Sequence, residues 1–420
     1  MTISQEARPE APQPKSLVKS FFTNRVFVSA LIAMSLFSLI RILTGTAEMS
    51  SFQSWGAMLR LAVPILLAGL GGLYAERAGV VNIGLEGMMI LGTWFAGYGA
   101  FAWGPWRGIL FGMVGGLIGG ALHALATVTF KIDHIVSGVA INIIGAGMGR
   151  FLSTVFYVGR TDAGVTQSPR MTGSVERFTV PILADVFKAM EDTDWFLIGD
   201  IGGILHGWTR NISWFTLLAF LLVPASIYLL WRTKFGLRLR STGENPWAAE
   251  SLGVRVYTYK WVAVLISGAL AGMGGAYLVT EQAGLYREGM TGGRGFIGLA
   301  ALIFGNWRPA GVATGAAIFG YGLTLQLRGE SAAVRALLLF AGIGLLLYAL
   351  WQFRSRGVNS LLSWIGGVLL IVAYFMVEEI PAEFIAMAPY VLTLIVISQA
   401  AGRLRMPAAD GIPYRRGEAH

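Results

Sequence analysis

The sequence predicts an all-α, polytopic transmembrane helix bundle of about 10–12 membrane segments, with discontinuous helices in two related halves. Three observations carry this. Of 420 residues, 55% are hydrophobic and only 13% charged, about half the charged share of a soluble chain. The apolar residues gather in windows long enough to cross a bilayer. Two windows are interrupted by Gly, Asn and charged residues, which hydrocarbon tolerates only where they face protein or a water-filled cavity.

Residues 1–25 are polar, with three prolines and with Lys15, Lys19 and Arg25 just before the first apolar run. No small-residue cleavage site follows a short apolar core, so they read as an uncleaved cytoplasmic tail. A transmembrane domain then extends over 26–402. Its apolar windows fall near 26–45, 57–76, 86–103, 107–130, 134–157, 214–231, 258–281, 308–328, 334–353, 360–377 and 385–402. A further run, 295–305, is too short to span on its own.

Charge orients these windows. The loop 232–257, with Arg232, Lys234, Arg238, Arg240 and Arg255, falls on the cytoplasmic side, and so do 354–359, with Arg354 and Arg356, and the tail 403–420. The 158–212 loop, with seven acids against five bases, and the acidic stretch 377–383 fall outside. This is the positive-inside pattern. It reads the net charge of +9 as orientation on a lipid membrane, not as nucleic-acid binding. Cysteine is absent and the four histidines show no ligand spacing, which excludes disulfides and thiolate metal sites and argues against a metal centre.

Gly supplies 56 residues, about twice ordinary usage. Rows such as Gly112, Gly116, Gly120 and Gly268, Gly272, Ala276 place small residues one turn apart, the pattern that lets membrane helices approach closely. "GGLIGG" and "GMGG" lie within spans and follow no strand, so they are not phosphate loops.

The first interrupted window holds "ERAGVVNIGLEGMM", 76–89, where Gly79 and Gly84 break the helix and Asn82 and Glu86 need polar surroundings. The second is "GLYREGMTGGRGFIGLAALIFGNWRPAG", 284–311, with Arg287, Glu288 and Arg294 and a close at Asn306 and Pro309. One interrupted segment per half points to a transport pathway between two repeats. The alternative is that both are interfacial loops anchoring helix ends, with Glu76 and Arg77 in solvent. In "WRTKFGLRLRSTGENPWAAESLGVRVYTYKW", 231–261, Asn245 before Pro246 is a helix cap with proline at the first position, and Gly253 is a helix stop. A short helix with Ala248 and Ala249 suits a groove on another protein; a basic loop resting on anionic lipid is the alternative.

Four separated blocks, in order, resemble the membrane permeases of ATP-binding cassette (ABC) importers for simple sugars and nucleosides, most nearly the nucleoside permeases linked to lipoproteins of the BmpA/Med type. They are "AGLGGLYAERAGVVNIGLEGMMILG" from Ala68, "STGENPWAAESLGVRVYTYKWVAVLISGALAGMGGAYL" from Ser241, "GRGFIGLAALIFGNWRPAGVATGAAIFG" from Gly293 and "PYVLTLIVISQAAGRLRMPAADGIPYRRG" over 389–417. The resemblance implies a coupling helix in 232–257, with Glu244, Asn245, Ala248, Ala249, Leu252 and Gly253 meeting a separate ATPase. ATP and Mg would be bound by that partner; this chain has no cofactor and no G-x-x-x-x-G-K-[ST] loop. It further implies a second, different permease subunit, an extracytoplasmic substrate-binding lipoprotein and a bacterial inner-membrane location. For a nucleoside or sugar, Asn82, Glu86 and Asn306 are the polar candidates and Trp94, Phe95, Phe296 and Trp307 the stacking ones. Trp at a span end is also a common interface anchor. The loop 158–212 is longer than the resemblance implies, and 329–378 inserts an extra hydrophobic pair.

Two other classes fit the residues less fully. An ion-coupled secondary transporter would use the same broken helices with Glu86, but leaves "ENPWAAESLG" without a role. A membrane scaffold predicts no transport.

Overall fold

The computed structural model describes residues 25–328, 331–353, 357–377, 380–381, 384, 387 and 404–417. The N-terminal tail, the arginines of 354–356 and the window at 385–402 lie outside the described residues.

Almost every apolar window is a helix. The order is α1 (Arg25–Thr44), α2 (Phe52–Arg77), α3 (Leu85–Trp103), α4 (Pro105–Ala124), α5 (His134–Phe156), α6 (Leu183–Asp192), α7 (Ile198–Thr209), α8 (Trp214–Arg232), α9 (Lys234–Glu244), α10 (Pro246–Ser251), α11 (Val256–Tyr277), α12 (Arg294–Phe304), α13 (Pro309–Arg328), α14 (Ser331–Phe353) and α15 (Gly357–Met376). Single π-helical turns, Leu125–Thr129 and Leu278–Ala283, extend α4 and α11. Among the described residues, seven helices are long and apolar enough to cross a membrane. Val28–Thr44, Arg294–Phe304 and Leu361–Met376 are shorter apolar stretches. The chain is a multi-pass membrane protein.

The helices α2 and α11 are the most enclosed of the spanning set and run through the main core with Leu66, Leu70, Met273 and Tyr277. Being apolar all round, they belong at the centre of a bundle. The glycine rows bring α4 against α11. A Cβ on Gly116 would run into the Gly268 carbonyl, and one on Gly272 into the Gly112 carbonyl. Lipid and helix interior are equally apolar, so backbone approach of this kind, not hydrophobicity, holds such pairs together. Helices α14 and α15 pack on each other, and α14 also packs on α1.

The stretch 158–212 is structured. A two-residue antiparallel pair, β1 (Arg177–Phe178) with β2 (Ile212–Ser213), brackets the α6–α7 hairpin. The hairpin is bolted to α1 through Asp200, which is fully buried. Asp200 pairs with Arg41 Nε at 2.8 Å and accepts from Ser38 Oγ at 2.5 Å; Arg41 also pairs with Asp194. Within the hairpin Glu191 of α6 lies 2.6 Å from His206 Nδ1 of α7, and it ties the hairpin to α2 by accepting the Phe52 N–H at 3.0 Å.

Candidate functional site

The first interruption, the far end of the second at Asn306 and Trp307, a short surface helix and a C-terminal segment meet at the end of the bundle that carries α9 and α10. The near end of the second, 284–288, pairs instead with the 158–212 stretch, Arg287 with Gln167. The first interruption, 78–84, leaves backbone groups without helical partners, and side chains of other helices pair with several of them. The Val81 N–H donates to His134 Nδ1 at 3.2 Å, and the Val81 carbonyl lies 3.1 Å from His123 Nε2. Asn142 Nδ2 donates to the Ile83 carbonyl at 3.1 Å, while its Oδ1 accepts from Gly87 N at 2.8 Å. Asn82 is fully buried; its Oδ1 accepts from Gly84 N at 3.1 Å and its Nδ2 donates to Ser267 Oγ of α11 at 2.8 Å. Buried backbone groups are costly unless paired, so a polar scaffold of His123, His134, Asn142 and Ser267 holds the break. Sequence reading missed these four. The available signal was polar side chains inside apolar windows.

The second interruption is tied to the first by Glu86, in the first turn of α3. Its carboxylate accepts the N–H groups of Gly293 at 3.0 Å and Gly295 at 2.7 Å, capping the start of α12. An anion at a helix N-terminus meets unpaired donors and the positive end of the helix dipole.

The far end of α12 turns at Asn306 and Trp307, both left-handed at φ +51°. That conformation is rare for a bulky residue, costs about 1–3 kcal/mol and persists only where its surroundings impose it. Here they do. Trp307 Nε1 donates to Glu76 Oε2 at 2.5 Å, and Arg77 Nε and Nη2 donate to the Trp307 carbonyl at 3.0 and 2.6 Å. Glu76 is 3% exposed, which rules out the alternative that it sits in solvent. Asn306 Oδ1 accepts from Arg405 N at 2.7 Å.

The seven pathway candidates therefore fall into separate groups. Glu86 joins the two breaks, and Asn82 ties the first break to α11. Asn306 and Trp307 lie about 16 Å along α12 from Glu86, at 1.5 Å per residue. Trp94 is buried further along α3, stacked on Tyr98 at 5.8 Å, with its Nε1 donating to Ser153 Oγ at 3.0 Å. Phe95 is half-buried against Phe111, and Phe296, next to the Glu86 cap, is 46% exposed. One cleft is lined by Arg60, Arg177, Arg210 and Glu281 at the opposite end of the bundle, and another by His134, Lys260 and Tyr414. Neither contains any of the seven.

The surface helix follows its sequence signals closely. Asn245 Oδ1 accepts from Ala248 N at 2.9 Å, Pro246 opens α10, and Gly253 closes it at φ +82°, a backbone state glycine takes without strain. Glu244, Asn245, Ala248, Leu252 and Gly253 are exposed, Leu252 at 85%. Ala249 is not: it is 3% exposed and packs inward with Val256 and Tyr414.

The chain matches the family described as branched-chain amino acid transport system / permease component over residues 54–350. It is 35% identical to the nucleoside ABC transporter permease protein NupC of Lactococcus lactis, over 85% of this chain and 95% of that one. It is 32% identical to the guanosine ABC transporter permease protein NupQ of Bacillus subtilis, over 86% and 96%. It is also 35% identical to a putative glucose ABC transporter permease protein, TsgC13 of Haloferax volcanii, over 66% and 77%. No solved structure gives a significant match. With the family spanning both interruptions and the whole of α10, this chain belongs to the branched-chain amino acid transport system permease family.

Proposed function

We propose that this chain is the permease subunit of an ABC importer that moves nucleosides across the bacterial inner membrane by alternating access. The observation that carries the reading is the joining of two broken spans by one carboxylate, Glu86 to Gly293 and Gly295, with the first break abutting Gly243 of α9, next in the chain to an exposed capped helix, α10. Discontinuous helices facing each other across a repeat interface are how transporters place a pathway at mid-membrane. An exposed short helix on the same end is how a second protein reaches it.

In this reading α9, α10 and the bundle end around them face the cytoplasm, in keeping with the arginines there. A separate ATPase binds ATP and Mg and seats Ala248, Leu252 and Gly253, with Glu244 and Asn245 at the rim. A second, homologous permease completes the pathway, and an extracytoplasmic lipoprotein delivers substrate to the opposite end. Phe95 and Phe296 are the stacking candidates with surface to offer a base. Trp94 and Trp307 have their indole N–H groups committed within the fold.

Two near-full-length relatives are named for nucleosides or guanosine, which favours a nucleoside. The glucose-named relative keeps a simple sugar as a second reading. An ion-coupled mechanism has no counterpart among these relatives, and the carboxylate it relies on, Glu86, is engaged as a helix cap.

The test is uptake of labelled adenosine, guanosine, uridine and glucose into cells expressing this chain, with and without its ATPase and second permease. Uptake that needs all three and is competed by nucleosides supports the proposal. Uptake by this chain alone, collapsing with an ionophore while ATP is maintained, would overturn it.

A further inference from the structure

Residues 404–417 form no helix or strand, yet Ala409, Asp410 and Tyr414 are buried. A segment without regular structure must find partners for its backbone elsewhere, and this one finds them on two parts of the site, the α12 corner and the end of α9, while it packs against the first break and α10. Arg405 N donates to Asn306 Oδ1 at 2.7 Å, at the corner that closes α12. Ala409 N donates to the Gly243 carbonyl at 2.8 Å, in the last turn of α9, and Ala408 N to Glu244 Oε2 at 3.4 Å. At Gly79, in the first break, a Cβ would stand 3.1 Å from both the Ala409 carbonyl and Gly243 Cα. The segment then reaches α10. Tyr414 packs with Ala249 and Val256, edge-on to Trp247 at 6.0 Å and tilted on Tyr257 at 5.2 Å. Arg416 Nε pairs with Glu250 Oε1 at 2.8 Å.

We infer that residues 404–417 are a strap that makes α10 and both broken spans one mechanical body, so that a partner moving α10 moves the breaks with it. This rests on the proposed role of α10 as the ATPase contact. The physical need for a strap follows from α10 itself. It has six residues, too few to be stable alone, and it is flanked by turns at Asn245 and Gly253 that can act as hinges. Pushed without a brace, such a helix swings on its hinges and transmits nothing. The strap fills the inner face of α10 and bonds to α9 and to the α12 corner. Arg416 is largely exposed, so its ion pair contributes little; the ring of Tyr414 and the backbone bonds supply the hold.

The experiment uses the assembled complex, with ATPase and second permease, in liposomes supplied with the substrate-binding lipoprotein, and reads ATP hydrolysed per nucleoside taken up. Tyr414→Ala is expected to keep hydrolysing ATP while uptake falls about tenfold, within the ordinary range of coupling between sites. Tyr414→Phe, which keeps the ring, is expected to restore the ratio. The chain has no cysteine, so Glu250→Cys with Arg416→Cys gives a single thiol pair that a reducible bifunctional thiosulfonate can bridge across the span left by the two shortened side chains, locking strap to helix, and uptake is expected to survive it. A normal ratio in Tyr414→Ala would overturn the strap, and so would uptake that the cross-link blocks and reduction restores. If uptake by the unmodified complex does not depend on ATP, the transport reading fails first and the strap, with nothing to couple, falls with it.

Discussion

The Glu86 carboxylate caps a helix more than two hundred residues away in sequence, its Oε2 accepting the Gly295 N–H at 2.7 Å. Its Oε1 takes the Gly293 N–H. One side chain thus fixes the distance between the two broken spans. Removing it leaves buried donors unpaired, at a cost of about 1–3 kcal/mol each. Glu86→Ala is therefore expected to lower the unfolding temperature of the detergent-solubilised protein and to reduce uptake sharply. Glu86→Gln, with one acceptor oxygen, should fall between. An unchanged unfolding temperature in Glu86→Ala, with only an ion dependence lost, would revive the ion-coupled reading.

Arg41 and Asp200 form a buried ion pair where α1 meets the α6–α7 hairpin. A buried pair adds little over an apolar pair of the same shape, but breaking it by removing one partner costs about 3–5 kcal/mol. Arg41→Met should destabilise the protein by roughly that amount. Adding Asp200→Leu should return most of it. Thermal unfolding of single and double variants checks this; a double variant no better than the single would mean that Arg41 acts through Asp194 instead.

On α10, exposure separates two effects. Leu252 is open to solvent while Ala249 faces Tyr414. Leu252→Ala should change stability by less than about 0.5 kcal/mol but lower uptake and the ATPase activity the permease stimulates. Ala249→Leu should instead strain a filled site, at about 1–3 kcal/mol, and expose 404–417 to protease. Equal protease sensitivity in the two variants would contradict this assignment of faces.

How much of this was legible depends on the range of the signal. The cap at Asn245, the proline at Pro246 and the stop at Gly253 are local, so the helix between them could be read directly. The windows are also local, and α2, α5, α8 and α13 begin and end within a few residues of their expected bounds. The glycine rows foretold close packing, and α4 meets α11 through them. What could not be read is what one break does to the other. Glu86 stood out as a carboxylate in a membrane, a sign of function by default, yet its partners are backbone N–H groups in the other half, which leave no mark in composition. Glu76 was likewise ambiguous until Trp307 was placed against it. The loop 158–212 reads as loop because its helices are short and its ties, Asp200 to Arg41 and Glu191 to the Phe52 N–H, join distant residues. Ala249 is expected from the sequence among the residues that meet the ATPase, and it faces inward instead because Tyr414, which arrives from far along the chain, covers it.

Asp410, in the strap, gives the site a pH dependence. Burial raises its carboxyl above the ordinary value, the nearby Glu76 carboxylate raises it further, and Lys260 and Arg77 oppose them in part. Free in solvent, an aspartate loses its proton near pH 3.9; docked, it holds the proton to higher pH. Below the free value both states are protonated and docking is at full strength. As pH climbs from there through the raised docked value, the proton that the docked state retains is lost and docking weakens. Asp410→Asn has no proton to lose and should dock with a flat profile. Protease cleavage within 404–417, followed from about pH 6 to about pH 9, should rise with pH in the native protein and stay level in the variant. A rise of equal size in both would place the titrating group elsewhere, and a fall in the native protein would reverse the sign argued for Asp410.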